Sequence, residues 1–178
     1  SDDLTGNIQI RSNHILGAPA YGTSTIRIGS GVSEVTVMAN KIENSYRAIH
    51  IVSAENVEVS GNILTDVNDG ILIDESSSAV TIEGNRLLNV RNNPETVDGT
   101  SAVSAQNSTA VRVFNNFIRT TGNGPVKGIV MQNTTSSGVW FNSVSIASSD
   151  AQLKSKGLLI KGNNNLNIRN NIFSIASN

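Results

Sequence analysis

The chain has 178 residues, a formal net charge of −1 and no cysteine. The nearly balanced charge gives no reason to expect a nucleic-acid or anionic-membrane partner, and the absence of cysteine excludes disulfides and thiolate metal sites. No apolar run approaches the roughly 18 residues that a membrane span needs. With 38% apolar residues and 15 glycines, residues 1–178 are expected to form one folded domain.

A phrase of eight residues recurs along the chain, and its clearest copy, VEVSGNIL, runs from Val57 to Leu64. It predicts a short strand, a tight turn at an asparagine and a second short strand. Successive copies are 22 to 31 residues apart. The repeated asparagines are Asn13, Asn40, Asn62, Asn85, Asn116, Asn142 and Asn171.

A further strand of the type Gly-Ile-x-Ile begins eight or nine residues before each copy of the phrase after the first. Such short strands cannot bury an apolar face alone, so we expect equivalent strands of successive repeats to stack about 4.8 Å apart. The segment from the asparagine to the next Gly-Ile-x-Ile strand varies most in length and is longest from Arg86 to Ala102. The variable segments should therefore gather on one side of the stack, where binding faces often form.

The repeat length, the strands of each repeat and the asparagine at one corner resemble the right-handed parallel β-helix family with the pectate-lyase-like fold. This family is found in exported bacterial repeat proteins and phage tail spikes. The resemblance covers Asn7 to Ser174 and implies an all-β, single-stranded solenoid of about seven coils with an asparagine ladder. Gly or Asn precedes the asparagine in four coils and suits a left-handed turn, whereas Ser12, Ala39 and Phe141 predict differently shaped corners.

The resemblance also implies an extracellular or cell-surface location. No amphipathic capping helix is evident at either end of the repeats, and an uncapped solenoid exposes its core and its strand edges. We therefore expect the domain to be part of a larger protein. Further coils, a capping domain or a homo-oligomer would cover its ends.

In the family, the strand next to the variable segments forms the floor of a substrate groove. Outward residues of the Gly-Ile-x-Ile strands should stack there in columns, which places Arg47 and Asp69 one coil apart, close enough for an ion pair. The candidate catalytic residues are His50, Asp69 and Asp74. The candidate substrate-binding residues are Arg47, Gln106, Lys127, Gln132 and Lys156.

Polysaccharide binding or processing is one hypothesis for this groove, and the enzyme class stays open. A lyase or epimerase could neutralise a uronate carboxylate with a groove lysine or arginine and use His50 as the base. A glycoside hydrolase could use Asp69 and Asp74 as an acid pair, which requires carboxyls about 5–9.5 Å apart. No cofactor is expected, although acidic residues between Asp66 and Glu75 leave calcium as a candidate.

A non-catalytic structural or adhesive segment of a larger surface or phage-tail-like protein is the alternative hypothesis. Leu72, Val130 and Leu159 interrupt the polar column, and no motif of the polysaccharide-active families is present. Phe114 and Trp140 should point outward one coil apart on the opposite sheet. This pair predicts a contact surface for another chain or domain.

Overall fold

The computed structural model describes residues 7–91, 99–122, 124–148 and 155–177. These residues form β-strands joined by turns and contain no helix, hence none that could span a membrane. The strands are β1 (Ile8–Arg11), β2 (His14–Leu16), β3 (Ser24–Ile28), β4 (Ser33–Met38), β5 (Lys41–Val52), β6 (Glu55–Ser60), β7 (Ile63–Asp74), β8 (Ser78–Glu83), β9 (Arg86–Val90), β10 (Thr100–Gln106), β11 (Arg112–Phe114), β12 (Phe117–Gly122), β13 (Val126–Gln132), β14 (Thr135–Trp140), β15 (Ser143–Ser148), β16 (Lys156–Lys161), β17 (Asn164–Arg169) and β18 (Ile172–Ser177).

The strands stack into two parallel sheets. The first, here the seven-stranded sheet, has the order β1-β4-β6-β8-β11-β14-β17. The other eleven strands form the eleven-stranded sheet, in which every pairing is also parallel. Seven stacked strands correspond to about six full turns of chain, slightly fewer than the seven coils expected. The predicted right-handed parallel β-helix is confirmed.

Apolar side chains that alternate along the strands fill the space between the sheets. Val35, Val57 and Val80 lie in register on three successive coils, and each is at most 2% exposed. Most core side chains are β-branched, which suits a pleated surface packed against neighbours on both sides. One continuous core therefore runs along the helix axis.

Two coils differ from the predicted arrangement of short strands. Strands β5 and β7 are each 12 residues long and run from the asparagine corner to the end of the next Gly-Ile-x-Ile segment. They remain paired from Lys41↔Ile63 to Val52↔Asp74. The segment between the asparagine corner and the Gly-Ile-x-Ile strand is short in both coils. Its backbone N–H and C=O groups therefore find partners by continuing the hydrogen bonding of the parallel sheet.

The corner asparagines are linked by side-chain hydrogen bonds. The Asn62 backbone N–H and Nδ2 donate to Oδ1 of Asn85, at 2.9 and 3.0 Å, and Nδ2 also donates to the Val37 carbonyl at 2.9 Å. Both asparagines are fully buried. Equivalent bonds connect Asn13, Asn40, Asn62, Asn85, Asn116, Asn142 and Asn171 in sequence.

The turn that precedes each asparagine is left-handed in every coil. The expectation of different corners at Ser12, Ala39 and Phe141 is wrong, since these residues have φ angles of 56°, 52° and 57°. Gly61, in a coil where glycine was expected to allow this turn, has a φ of 61°. The stacked backbone and the asparagine bonds therefore impose the conformation even on residues that disfavour it.

Glycines at the start of the Gly-Ile-x-Ile strands allow close approach between coils. A Cβ on Gly70 would lie 2.3 Å from the carbonyl oxygen of Ala102 on the next coil. A Cβ on Gly128 would lie 2.5 Å from the Gly157 carbonyl oxygen on the next coil. These contacts explain the glycine of the motif at both positions.

Replacing Asn85 with alanine should destabilise the fold severely. The Asn62 N–H and the Val59 carbonyl would lose their partners in a buried environment, and each such loss costs about 1–3 kcal/mol. We expect the free energy of unfolding, measured by urea titration, to fall by roughly 2–4 kcal/mol. Asn167→Ala, on the exposed face of β17, should change it by no more than about 0.5 kcal/mol. Equal losses in the two variants would contradict a special role for the corner asparagines.

Candidate functional site

The predicted columns of outward residues lie on the eleven-stranded sheet, and the strand register places them as expected. The first column contains Ser24, Arg47, Asp69, Ser101, Lys127 and Lys156. The middle column contains Arg27, His50, Leu72, Ser104, Val130 and Leu159. The third column contains Val52, Asp74, Gln106, Gln132 and Lys161.

A surface cavity of about 340 Å³, here called the groove, lies over β7, β10, β13 and β16. Five of the predicted site residues line it: Arg47, Asp69, Gln106, Lys127 and Gln132. The other three candidates, His50, Asp74 and Lys156, are not among its lining residues. Sequence reasoning missed Ser101, Ser104 and Lys161, which also line it. Lys161 continues the column of Gln106 and Gln132, so its register was the signal that could have identified it.

The groove has an apolar floor between polar walls. Leu72, Val130 and Leu159 lie in the middle column and line the cavity, while lysine and glutamine side chains flank them. From the sequence alone, these apolar residues argue against catalysis in the groove. In the structure Val130 and Leu159 are neighbours on adjacent strands, and Ser104 separates them from Leu72. Together they form a mostly apolar strip against which an amphipathic ligand can lie.

Asp69 is the carboxyl group that lines the groove. Its Oδ1 accepts a hydrogen bond from the Ser101 backbone N–H at 3.1 Å, and its Oδ2 lies 3.8 Å from Nε of Arg47. Burial raises the pKa of Asp69 above its ordinary value of 3.8, although the Ser101 N–H and the charges of Arg47 and Lys127 oppose this shift. The predicted ion pair between Arg47 and Asp69 is therefore present, in a partly desolvated site.

Arg47 retains an unused hydrogen-bond donor beside the groove. Its Nε is buried and has no hydrogen-bond partner, because Asp69 is too distant for more than an ion pair. Its guanidinium lies 5.4 Å from the centre of the Tyr46 ring, which holds the side chain in place. An unpaired buried donor is costly in a folded protein.

His50 and Asp74 form a second pair outside the groove lining. Nε2 of His50 lies 3.2 Å from Oδ2 of Asp74, and the histidine side chain is only 12% exposed. Asp69 and Asp74 are five residues apart on β7, and an extended strand of that length spans roughly 16 Å. This separation exceeds the window for paired carboxyls, so the geometry does not support the glycoside-hydrolase pair considered from the sequence.

The acidic residues between Asp66 and Glu75 do not converge. Asp66 pairs with Arg91, while Asp69 and Asp74 bond to the separate partners described above. In the part of the chain that the structure describes, no three His, Cys, Asp or Glu residues lie close enough together to hold a metal ion.

Comparison with known proteins identifies a family and a fold. The family model described as periplasmic copper-binding protein (NosD) matches residues 5–178. The crystal structure of a mutant of DFA-IIIase from Arthrobacter chlorophenolicus A6 in complex with DFA-III has a TM-score of 0.53 and 15% identity, over 80% of this chain and 31% of the enzyme. Another crystal structure of this DFA-IIIase has a TM-score of 0.34 and 12% identity, over 83% of this chain and 50% of that one. No curated protein sequence matches. The likeness to the enzyme shows the fold alone, and the chain spans about a third to a half of the length of these enzyme structures.

The pKa of Asp69 should respond to charges across the groove. A ¹³C NMR titration of the side-chain carboxyl should give a pKa above 3.8 in the wild-type protein. Arg47→Met should raise it further, because the variant removes a positive charge that favours the carboxylate. Arg27→Met, which alters an exposed cation of the middle column on a more distant coil, should leave it unchanged.

The same shift gives a sign for stability against pH. Asp69 retains its proton to higher pH in the folded state than in the unfolded state. Protonation of Asp69 therefore stabilises the folded state, fully below the unfolded-state pKa, and this stabilisation is lost as pH rises through the folded-state pKa. Asp69→Asn should remove that component of the pH dependence. An Asp69 pKa at or below 3.8 would contradict the desolvated environment.

Proposed function

The chain belongs to the family described as periplasmic copper-binding protein (NosD), and on this basis we propose that it is a cell-envelope β-helix module that binds a polysaccharide in its groove. The observation that carries the proposal is the groove itself. A mostly apolar strip lies between two walls of hydrogen-bonding and cationic side chains, with Arg47 at one end. The crystal structure of the DFA-IIIase mutant holds a carbohydrate, DFA-III, on a similar fold, which is consistent with this proposal but does not carry it.

The groove provides the two kinds of contact that a sugar chain needs. The C–H faces of sugar rings can pack on Leu72 and Leu159, and hydroxyl groups can bond to the side-chain amides of Gln106 and Gln132. Stacked coils repeat these contacts along the helix axis. A chain of several sugar units therefore suits the groove better than a single small molecule.

The charge of the groove favours an acidic polysaccharide. Arg47, Lys127 and Lys161 line it together with a single carboxyl, Asp69, whose pKa is raised by burial. A uronate carboxylate can accept hydrogen bonds from the lysines and from the Arg47 side chain, which is 28% exposed. These contacts would distinguish acidic chains from neutral ones.

Copper, which the family description mentions, does not fit the residues of this chain. Soft or imidazole ligands suit copper, but the sequence has no cysteine, two histidines and two methionines. His14 pairs with Glu43 and His50 with Asp74, on different coils. Met131 is fully buried in the core, so it is directed away from solvent. We therefore assign no copper-dependent step to the groove.

Polysaccharide processing is a second candidate, favoured by Asp69. A partly desolvated carboxyl with a raised pKa can donate a proton in a groove where cations would hold the substrate. A lyase or epimerase would fit this arrangement better than a hydrolase with paired carboxyls. Loss of unsaturated or epimerised product in Asp69→Asn, with binding retained, would support this candidate.

Groove lysines should control affinity for acidic glycans. We expect isothermal titration calorimetry to detect binding of a polyuronate and weaker binding of a neutral polysaccharide of similar length. Lys127→Ala combined with Lys161→Ala should weaken polyuronate binding about tenfold, since two ionic hydrogen bonds are lost. Arg86→Ala, an exposed cation on β9 outside the groove, is the matched control and should bind normally. Absence of binding to every glycan by the folded protein would favour the structural or adhesive alternative.

A further inference from the structure

The outward face of the seven-stranded sheet is divided into an acidic half and a cationic, aromatic half. Strands β4, β6 and β8 carry no lysine or arginine and four glutamates, Glu34, Glu55, Glu58 and Glu83. Strands β11, β14 and β17 carry no acidic residue and two arginines, Arg112 and Arg169. Among the described residues, none of these six charged side chains has an ion-pair partner. Arg11 on β1, at the edge of the sheet beside the acidic half, is the exception to this separation. The other six charges are sorted by sign, which indicates a surface that is complementary to a second copy of itself.

The cationic half presents an ordered aromatic stack. Phe114 and Trp140 stack with ring centres 5.4 Å apart and planes 11° apart, and the Arg169 guanidinium lies 5.7 Å from the Trp140 ring centre. The Trp140 ring folds back over Gly138, where a Cβ would lie 1.8 Å from the ring. Beside the ring is a shallow cavity of about 270 Å³ that Arg112 and Gly138 also line. Aromatic and arginine side chains of this kind are enriched in protein interfaces.

The register of the sheet makes the two halves complementary under a two-fold rotation. Strand β8 is the central strand of the seven, and Thr81 on it pairs with Glu58 on one side and Arg112 on the other. A two-fold axis along β8 therefore places Glu58 of one copy over Arg112 of the second. The same operation places Met38, an exposed apolar residue two strands from Glu83, over Trp140, two strands from Glu83 on the opposite side.

We propose that this face is the interface of a symmetric dimer between two copies of the chain. Met38 of each copy enters the shallow cavity beside Trp140 of the other, while Glu58 and Arg112 pair twice across the axis. Because a two-fold interface is self-complementary, the assembly closes at two copies. This interface lies on the opposite sheet from the groove and does not depend on what the groove binds.

The size and charges of the face predict a weak dimer. Seven strands about 4.8 Å apart and three to six residues long cover roughly 600 Å² per copy, below the typical 800 Å² of stable complexes. The two Glu83 side chains meet at the axis and Arg11 lies opposite Arg169, so like charges also limit the affinity. We expect a micromolar dissociation constant that rises with salt concentration.

Charge reversal tests the arrangement directly by sedimentation equilibrium. Wild-type protein should dimerise reversibly, whereas Glu58→Arg and Arg112→Glu should each weaken the dimer at least tenfold by placing like charges opposite one another. An equimolar mixture of the two variants should form heterodimers, because the introduced arginine of one chain then meets the introduced glutamate of the other. In the same heterodimer, native Arg112 of the first chain meets native Glu58 of the second. A chain that carries both substitutions should again form a homodimer, because the two reversed charges then face each other.

Two controls separate this proposal from the groove and from misfolding. Lys127→Glu, in the groove, should leave dimerisation unchanged, and Glu58→Arg should leave polyuronate binding unchanged. Both charge-reversal variants alter exposed side chains and should show the wild-type circular dichroism spectrum and melting temperature. A wild-type protein that stays monomeric throughout the micromolar range would overturn the proposal. So would a mixture of the two variants that remains monomeric.

Discussion

The hydrogen-bonded column of corner asparagines is the constraint on which the rest of the structure depends. Asn62, for example, donates to the Ser60 carbonyl of its own coil, to the Val37 carbonyl of the preceding coil and to the Asn85 side chain of the next coil. Such bonds prevent the corners from slipping relative to one another. A slip of one residue would turn every apolar side chain of a strand outward. The column therefore fixes the register in which Val57 meets Val80 inside and Arg47 meets Asp69 outside.

The groove is a consequence of that register rather than of any single loop. Residues that are 22 to 32 positions apart in sequence become neighbours about 4.8 Å apart, so an apolar strip and two polar walls arise from equivalent positions of successive coils. The desolvation of Asp69 and the unpaired donor of Arg47 follow from this packing. The seven-stranded sheet obeys the same rule, so equivalent positions of successive coils also form columns on its outward face.

The sequence predicted the fold well because every coil repeats the same short pattern of apolar residues and an asparagine. It also predicted the columns, and hence Arg47, Asp69, Gln106, Lys127 and Gln132 in the groove. It could not predict which outward residues enclose a cavity, since this depends on the depth of neighbouring side chains. Nor could it predict the left-handed corner at Phe141, because local preference opposes a conformation that the neighbouring coils impose.

The most direct test of the account is amide hydrogen exchange along the asparagine column, measured by NMR in the intact protein. The backbone N–H groups of Asn62, Asn85 and Asn116 donate to the next asparagine side chain rather than to a strand. If the column holds the coils in register, these amides should exchange as slowly as those of the core valines, through the same cooperative opening. Exchange at the faster rates of exposed turns, while the valines stay protected, would show that the corners open independently and do not fix the register.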